Sequence, residues 1–250
     1  MATTDTTLTI IVPVYNEEGC LTRFCESMDA FLQQAPVPTQ VLFVNDGSTD
    51  SSLGQIREIC HSKPGYSFIS LDRNRGLSTA IKAGIDHIQT THIGYIDSDL
   101  QTSPLDFLLF FEFLPAYQMV IGIRARRKDT FVKKMSSKIA NGFRRRMIND
   151  GIKDTGCPLK IMDTAYAKRV PFFDGMHRFL PALIQLQGGR VKQLPVQHFE
   201  RFAGYSKYHL FNRLWGPLND TFAFRWMRKR YINYQIAEAF ENQPVSNGRI

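Results

Sequence analysis

Apolar residues in the first half of the chain fall into short runs separated by amphipathic stretches. The runs LTIIVPV (8–14), VLFV (41–44), YSFIS (66–70), HIGYI (92–96) and MVIGI (119–123) have the length and composition of buried strands. Between the first two, Leu21, Phe24, Cys25, Met28, Phe31 and Leu32 recur at the spacing of one helical face. The pattern predicts further helices from Asp50, as N-cap, to about Cys60, over about 77–89, and from Pro104 onward. Strands alternating with helices in this way predict an α/β fold: a mostly parallel sheet with helices on both faces. Sheets of that kind bind ligands beyond the carboxyl ends of their strands. The polar clusters YNEE, NDGSTD and DSDLQ all fall at those ends.

After residue 123 the pattern changes. From Arg124 to Arg146 there are ten Lys or Arg against one acid, Asp129. Within this stretch Phe131, Met135, Ile139, Phe143 and Met147 recur every four residues. The spacing predicts a basic amphipathic helix over 131–148, of the kind that lies in an anionic membrane interface. A core-packed helix with a solvated basic face is the competing reading. Residues 211–250 form a second basic and aromatic segment, expected to contact membrane or a partner, with the last ten or so disordered. The domain proper is expected over 1–210.

Composition sharpens this picture. The formal net charge of +8 and the pI near 9.4 call for an anionic partner. Basic residues interleaved with apolar ones at helical period suit lipid better than a nucleic-acid groove, so no nucleic acid is expected. Cys20, Cys25, Cys60 and Cys157 have neither a CxxC pair nor matching histidines and read as free thiols of a reducing compartment. No apolar run approaches the ~18 residues of a membrane span. The expected location is cytoplasmic, peripheral on the inner (plasma) membrane.

The segment DSDLQ carries the chemistry. If it leaves its strand extended, Asp97, Asp99 and Gln101 point the same way and form a hard oxygen-ligand set suited to Mg2+ or Mn2+. The competing reading is a polar loop in which Asp99 or Ser103 caps the helix at Pro104. There is no GxxxxGK[ST] loop, no GxGxxG after the first strand and no nucleophile elbow. An anion must then be held by a metal and by cationic side chains.

Taken together, IVPVYNEE (11–18), FVNDGSTD (43–50), LDRNRGLSTAIKAG (71–84) and DSDLQTSP (97–104) resemble a family 2 glycosyltransferase of the GT-A fold. The DxDLQ form, GIR (122–124), DTGCPLK (154–160) and RFAGYSK (201–207) resemble the polyprenyl-phosphate branch, which includes dolichyl-phosphate mannose synthase and undecaprenyl-phosphate sugar transferases. The resemblance implies a metal-dependent, inverting transferase moving a sugar from a nucleotide-sugar donor to polyprenyl phosphate at the cytoplasmic membrane face. It implies that Pro13, Tyr15 and Glu17 line the nucleotide pocket and that Val44 with Asp46, or its neighbour Asn45, reads the base. It further implies metal ligation by Asp97, Asp99 and Gln101, with Ser98 beside the nucleotide and Arg201 and Lys207 on the donor diphosphate. Arg124, Lys138 and Lys160 match basic positions at the acceptor phosphate, the last where relatives often carry arginine.

The catalytic set is then Asp99 and Arg124, with Asp154 the candidate base should the acceptor be a hydroxyl. Many bacterial relatives continue into two membrane spans where this chain has none, which points to a separate integral membrane partner or to the amphipathic segments. Two alternatives stand beside this reading. One is transfer to a saccharide hydroxyl in polysaccharide or lipopolysaccharide assembly; the other is a non-catalytic peripheral membrane-binding protein.

Overall fold

A computed structural model describes residues 6–124, 142, 146–200, 212–234 and 237–238. Seven strands form one sheet in the order β3-β2-β1-β4-β6-β5-β7. These are β1 (Leu8–Val14), β2 (Thr39–Asn45), β3 (Tyr66–Ser70), β4 (His92–Tyr95), β5 (Met119–Arg124), β6 (Lys160–Asp163) and β7 (Val191–Val196). The first four strands and the β5–β7 pair are parallel, whereas β6 runs antiparallel between β4 and β5. The mostly parallel α/β sheet is therefore as expected, but β6 and β7 have no counterpart in the apolar runs read above. Both carry polar residues, and β7 contains Pro195, tolerated because β7 is an edge strand.

Helices cover both faces. On one, α1 (Leu21–Leu32) buries Leu21, Phe24, Cys25, Met28 and Phe31 in a core that includes Val12, Phe43, Phe107 and Ile161. The same core takes in Ile56 of α2 (Ser52–Ser62). On the other face, α3 (Leu77–His87), α4 (Thr164–Lys168), α5 (Leu180–Leu186) and α6 (Asn212–Arg230) pack around Ile11, Leu42, Val44 and Ile93. All four cysteines are free thiols.

Local chemistry corrects two boundaries. The helix expected from Pro104 is instead two short 3-10 helices, Pro104–Leu109 and Phe111–Phe113, with Ser103 capping the first through its hydroxyl to the Leu105 amide. The N-cap of α2 is Ser51 rather than Asp50, whose carboxylate accepts instead from the Ser52 amide at 3.0 Å. Most of the predicted amphipathic helix over 131–148 lies outside the described residues, and so do the final ten. No helix among the described residues is long and apolar enough to cross a membrane.

Candidate functional site

The three polar clusters meet at the carboxyl edge of the sheet. The turn after β1 and the turn after β2 are laced together. Asn16, at φ +52°, donates from its backbone to the Ser48 hydroxyl at 3.0 Å, and its side-chain oxygen accepts from the Thr49 amide at 2.7 Å. The Glu17 amide donates to the Ser52 hydroxyl at 2.9 Å, and Glu18 accepts from the Ser51 amide at 2.9 Å. Pro13, Tyr15 and Glu17 are half-buried at this rim.

Asp46 is bound to the segment 74–76. Its carboxylate accepts from the Arg75 amide at 2.7 Å, the Gly76 amide at 2.9 Å and the Asn74 side chain at 3.0 Å. Burial pushes its proton affinity up, and the two backbone donors pull it back down. Asn45 is occupied too, donating to Ser70 at 2.8 Å and accepting from the Ser48 amide at 3.2 Å. Val44 is fully buried, its side chain packed among core residues. The segment 74–76 was quoted in the sequence without a role. The signal that could have found one is a buried carboxylate followed by glycine, Asp46–Gly47, since both need a close backbone partner.

DSDLQ does not continue its strand. β4 ends at Tyr95, a turn begins at Ser98, and Leu100 takes a left-handed φ of +58°. Period-two alternation therefore fails here. The turn instead leaves Asp97 and Asp99 close enough for their charges to interact, with Ser98 and Asp99 buried and Asp97 half-buried. Burial first, and then the charge of Asp99, raise the proton affinity of Asp97; Tyr95, Lys160 and Arg124 oppose them. The Tyr95 hydroxyl donates to Asp97 at 2.6 Å, a support that sequence reasoning missed. Asp99 accepts from the Gln101 amide at 3.1 Å, and the Gln101 carbonyl accepts from the Phe199 amide at 2.9 Å. Two neighbouring carboxylates, Asp99 buried and Asp97 half-buried with a tyrosine hydroxyl on it, make a donor set that fits a hard divalent cation.

The antiparallel β6 delivers the cationic half of the site. Because it runs against β4 and β5, its first residue and the preceding loop lie at the carboxyl edge. Arg124, at the end of β5, meets Asp154 in a two-pronged pair: Nε and Nη2 each donate at 2.8 Å, and the Arg124 amide adds a third bond at 3.2 Å. Lys160, paired in register with Tyr95, is 2% exposed. Its ammonium donates to the Cys157 carbonyl and lies 5.0 Å from the Tyr95 ring centre. Burial brings its pKa down to about 8. The ammonium is thus enclosed beside Tyr95, within charge range of Asp97 and Asp154. Lys138, Arg201 and Lys207 lie outside the described residues.

The model of the family described as "Glycosyl transferase family 2" matches residues 9–173. The chain is 32% identical over 207 residues to dodecaprenyl-phosphate galacturonate synthase of Rhizobium johnstonii, covering 80% of this chain and 61% of that protein. It is 30% identical over 206 residues to undecaprenyl-phosphate 4-deoxy-4-formamido-L-arabinose transferase of Edwardsiella ictaluri, covering 81% and 63%. The chain thus spans about three fifths of the length of these relatives.

Among solved structures, mannosyl-3-phosphoglycerate synthase from Rubrobacter xylanophilus aligns with a TM-score of 0.66 at 16% identity, over 94% of this chain and 79% of that one. Glucosyl-3-phosphoglycerate synthase from Mycobacterium tuberculosis, in complex with Mn2+, UDP-glucose and phosphoglyceric acid, aligns at 0.65 and 15%, over 89% and 79%. At these identities the structures establish a shared fold, the GT-A sheet.

Proposed function

Since this chain belongs to glycosyl transferase family 2, we propose that it moves a sugar from a nucleotide-sugar donor to polyprenyl phosphate. The observation that carries the reading is the meeting, at one sheet edge, of the Asp97–Asp99 pair and the Arg124–Asp154 pair. The names of the relatives, which specify dodecaprenyl and undecaprenyl phosphate, support the acceptor class. The same proposal puts the work at the cytoplasmic membrane face.

In the proposed site, Asp97, Asp99 and Gln101 would hold Mg2+ or Mn2+, which when bound would supply positive charge against the departing diphosphate. Support comes from the neighbouring carboxylates and from the Mn2+ bound with UDP-glucose in the fold neighbour. Pro13, Tyr15 and Glu17 wall the nucleotide, Ser98 lies beside it, and Arg201 and Lys207 hold its diphosphate. Asp46 holds the segment 74–76 beneath the pocket. Arg124 receives the acceptor phosphate: Asp154 fixes its guanidinium plane, leaving Nη1 hydrogens for an anion. A phosphate acceptor is already ionised at neutral pH, so no base need take a proton from it. Asp154 accordingly serves as a positioning residue for Arg124. Lys160 steadies the carboxylates by charge at a distance.

The test is a donor panel of UDP-, GDP- and dTDP-sugars with Mn2+ and a polyprenyl phosphate. The expected product is a lipid-linked sugar labile to mild acid. Chelation should stop turnover and Mn2+ restore it. Asp99→Ala should abolish turnover with an unchanged circular dichroism spectrum; an active Asp99→Ala protein sinks the metal assignment. Transfer to saccharide hydroxyls alone would replace the lipid reading with the other enzymatic one.

A further inference from the structure

The α6 helix has two unlike faces. Its inner face holds it to the domain: Thr221 and Phe224 are 2% and 1% exposed, and the Phe224 ring stacks on Phe179 at 5.6 Å between centres. Arg228 donates to the Ile148 carbonyl, and the Asp220 carboxylate lies against Gly175, 3.9 Å from Arg178. The outer face carries Phe222, 55% exposed, and Trp226, 63% exposed. Lys229 follows at the next turn of the same face, and Arg225 and Arg230 flank it, the latter 5.3 Å from the Trp226 ring. Beyond the helix, Ile232 and Tyr234 are 81% and 76% exposed. Single exposed apolar residues are ordinary on a protein surface, but an aromatic row set among cations on one helical face is a surface for something.

From this arrangement we propose that the outer face of α6 is the surface by which the domain docks on an anionic phospholipid bilayer, which rests on and deepens the lipid-acceptor reading. Charge selects the occupant. The charged residues set around Phe222 and Trp226 on this face, Arg225, Lys229 and Arg230, are all basic. A second copy would bring these like charges face to face, whereas lipid phosphates complement them. Amphipathic aromatic rings settle at headgroup depth, and Lys and Arg reach the phosphates from the same face. The inner contacts fix the orientation. Ile148, held by Arg228, begins the stretch leading to Asp154 and thus to Arg124, so the membrane would lie against the acceptor half of the site.

The test compares the full chain with a Phe222→Ser, Trp226→Ser double variant by flotation on vesicles of phosphatidylglycerol and phosphatidylcholine. Wild type should bind the mixed vesicles and not pure phosphatidylcholine, and the double variant should bind about tenfold more weakly or worse. The variant should retain transfer to a short-chain, water-soluble polyprenyl phosphate, which shows that the fold is intact. A Trp215→Phe protein, reporting from Trp226 alone, should shift its emission to the blue on meeting anionic vesicles. Equal binding by the double variant, equal binding to neutral vesicles, or a dimer that already shields Trp226 overturns the proposal. If the short-chain transfer fails in both proteins while vesicle binding still depends on Phe222 and Trp226, the acceptor reading falls and the docking surface stands.

Discussion

Arg124 and Asp154 are each nearly enclosed, with side chains 13% and 10% exposed, so neither charge is tolerable without the other. Removing one partner of such a pair costs far more than replacing both with apolar groups. Asp154→Ala should therefore lower stability by about 3–5 kcal/mol in a thermal or urea melt. The Arg124→Met, Asp154→Leu double variant should recover most of that loss while remaining inactive, which separates the packing of the pair from its chemistry. Both residues stood out in the sequence, but as unrelated basic and acidic positions. Their union was not legible, because it depends on β5 and an antiparallel β6 bringing positions 30 residues apart to one edge. Lys160 shows the same limit from the other side. Its charge was visible; its burial behind Tyr95 was set by register and was not.

Among the elements, the turn after β2 and the segment before α3 behave as one clamp. Gly47 sits at φ +66°, and a Cβ there would fall 2.3 Å from the Arg73 carbonyl carbon. A left-handed residue pressed against backbone admits no side chain. Gly47→Ala should cost about 2–3 kcal/mol from strain and lost clamping. Hydrogen exchange should show the Arg75 and Gly76 amides losing protection, since both donate to Asp46. Unchanged exchange at those amides would mean that the clamp is not a unit. At this scale the sequence was most readable for β1 to β4, where apolar runs and turn residues agree. It was least readable at DSDLQ, where Leu100 adopts a conformation that nothing in its side chain announces. The carboxylates come within range of each other's charge by a turn rather than by the alternation expected of them.

The whole molecule depends on how α3, α5 and α6 close over one face of the sheet, and His177 stands at that junction. The Ser78 hydroxyl accepts from the Gly175 amide at 3.0 Å and pairs with His177 Nδ1 at 2.8 Å. Burial, with Arg178 and Lys160 adding to it, lowers the His177 pKa from 6.5 to about 3. Between those values the unfolded chain takes up a proton that the folded chain refuses. Stability from this group is thus fully present above the unfolded pKa and is lost as pH falls through the window toward 3. Its slope is at most about 1.4 kcal/mol per pH unit. A His177→Gln protein should lose this component, so the difference between the two stability curves should grow with pH from about 3 to 6.5 and then level off. A difference that stays flat across that range would show that the imidazole is not held neutral by the fold.

The reversed direction of β6 also has a consequence in time. β5 leaves the ribosome with the edge MVIGIR, yet both strands that flank it, β6 and β7, are encoded downstream. β1 to β4 can pair as they emerge, while β5 waits for residues 160 and beyond to be synthesised. At about 5–20 residues per second that is an interval of seconds. Through that interval an aggregation-prone strand has no native neighbour, and the cationic half of the site cannot yet exist. Nascent chains stalled within it should be the ones that a cellular chaperone holds.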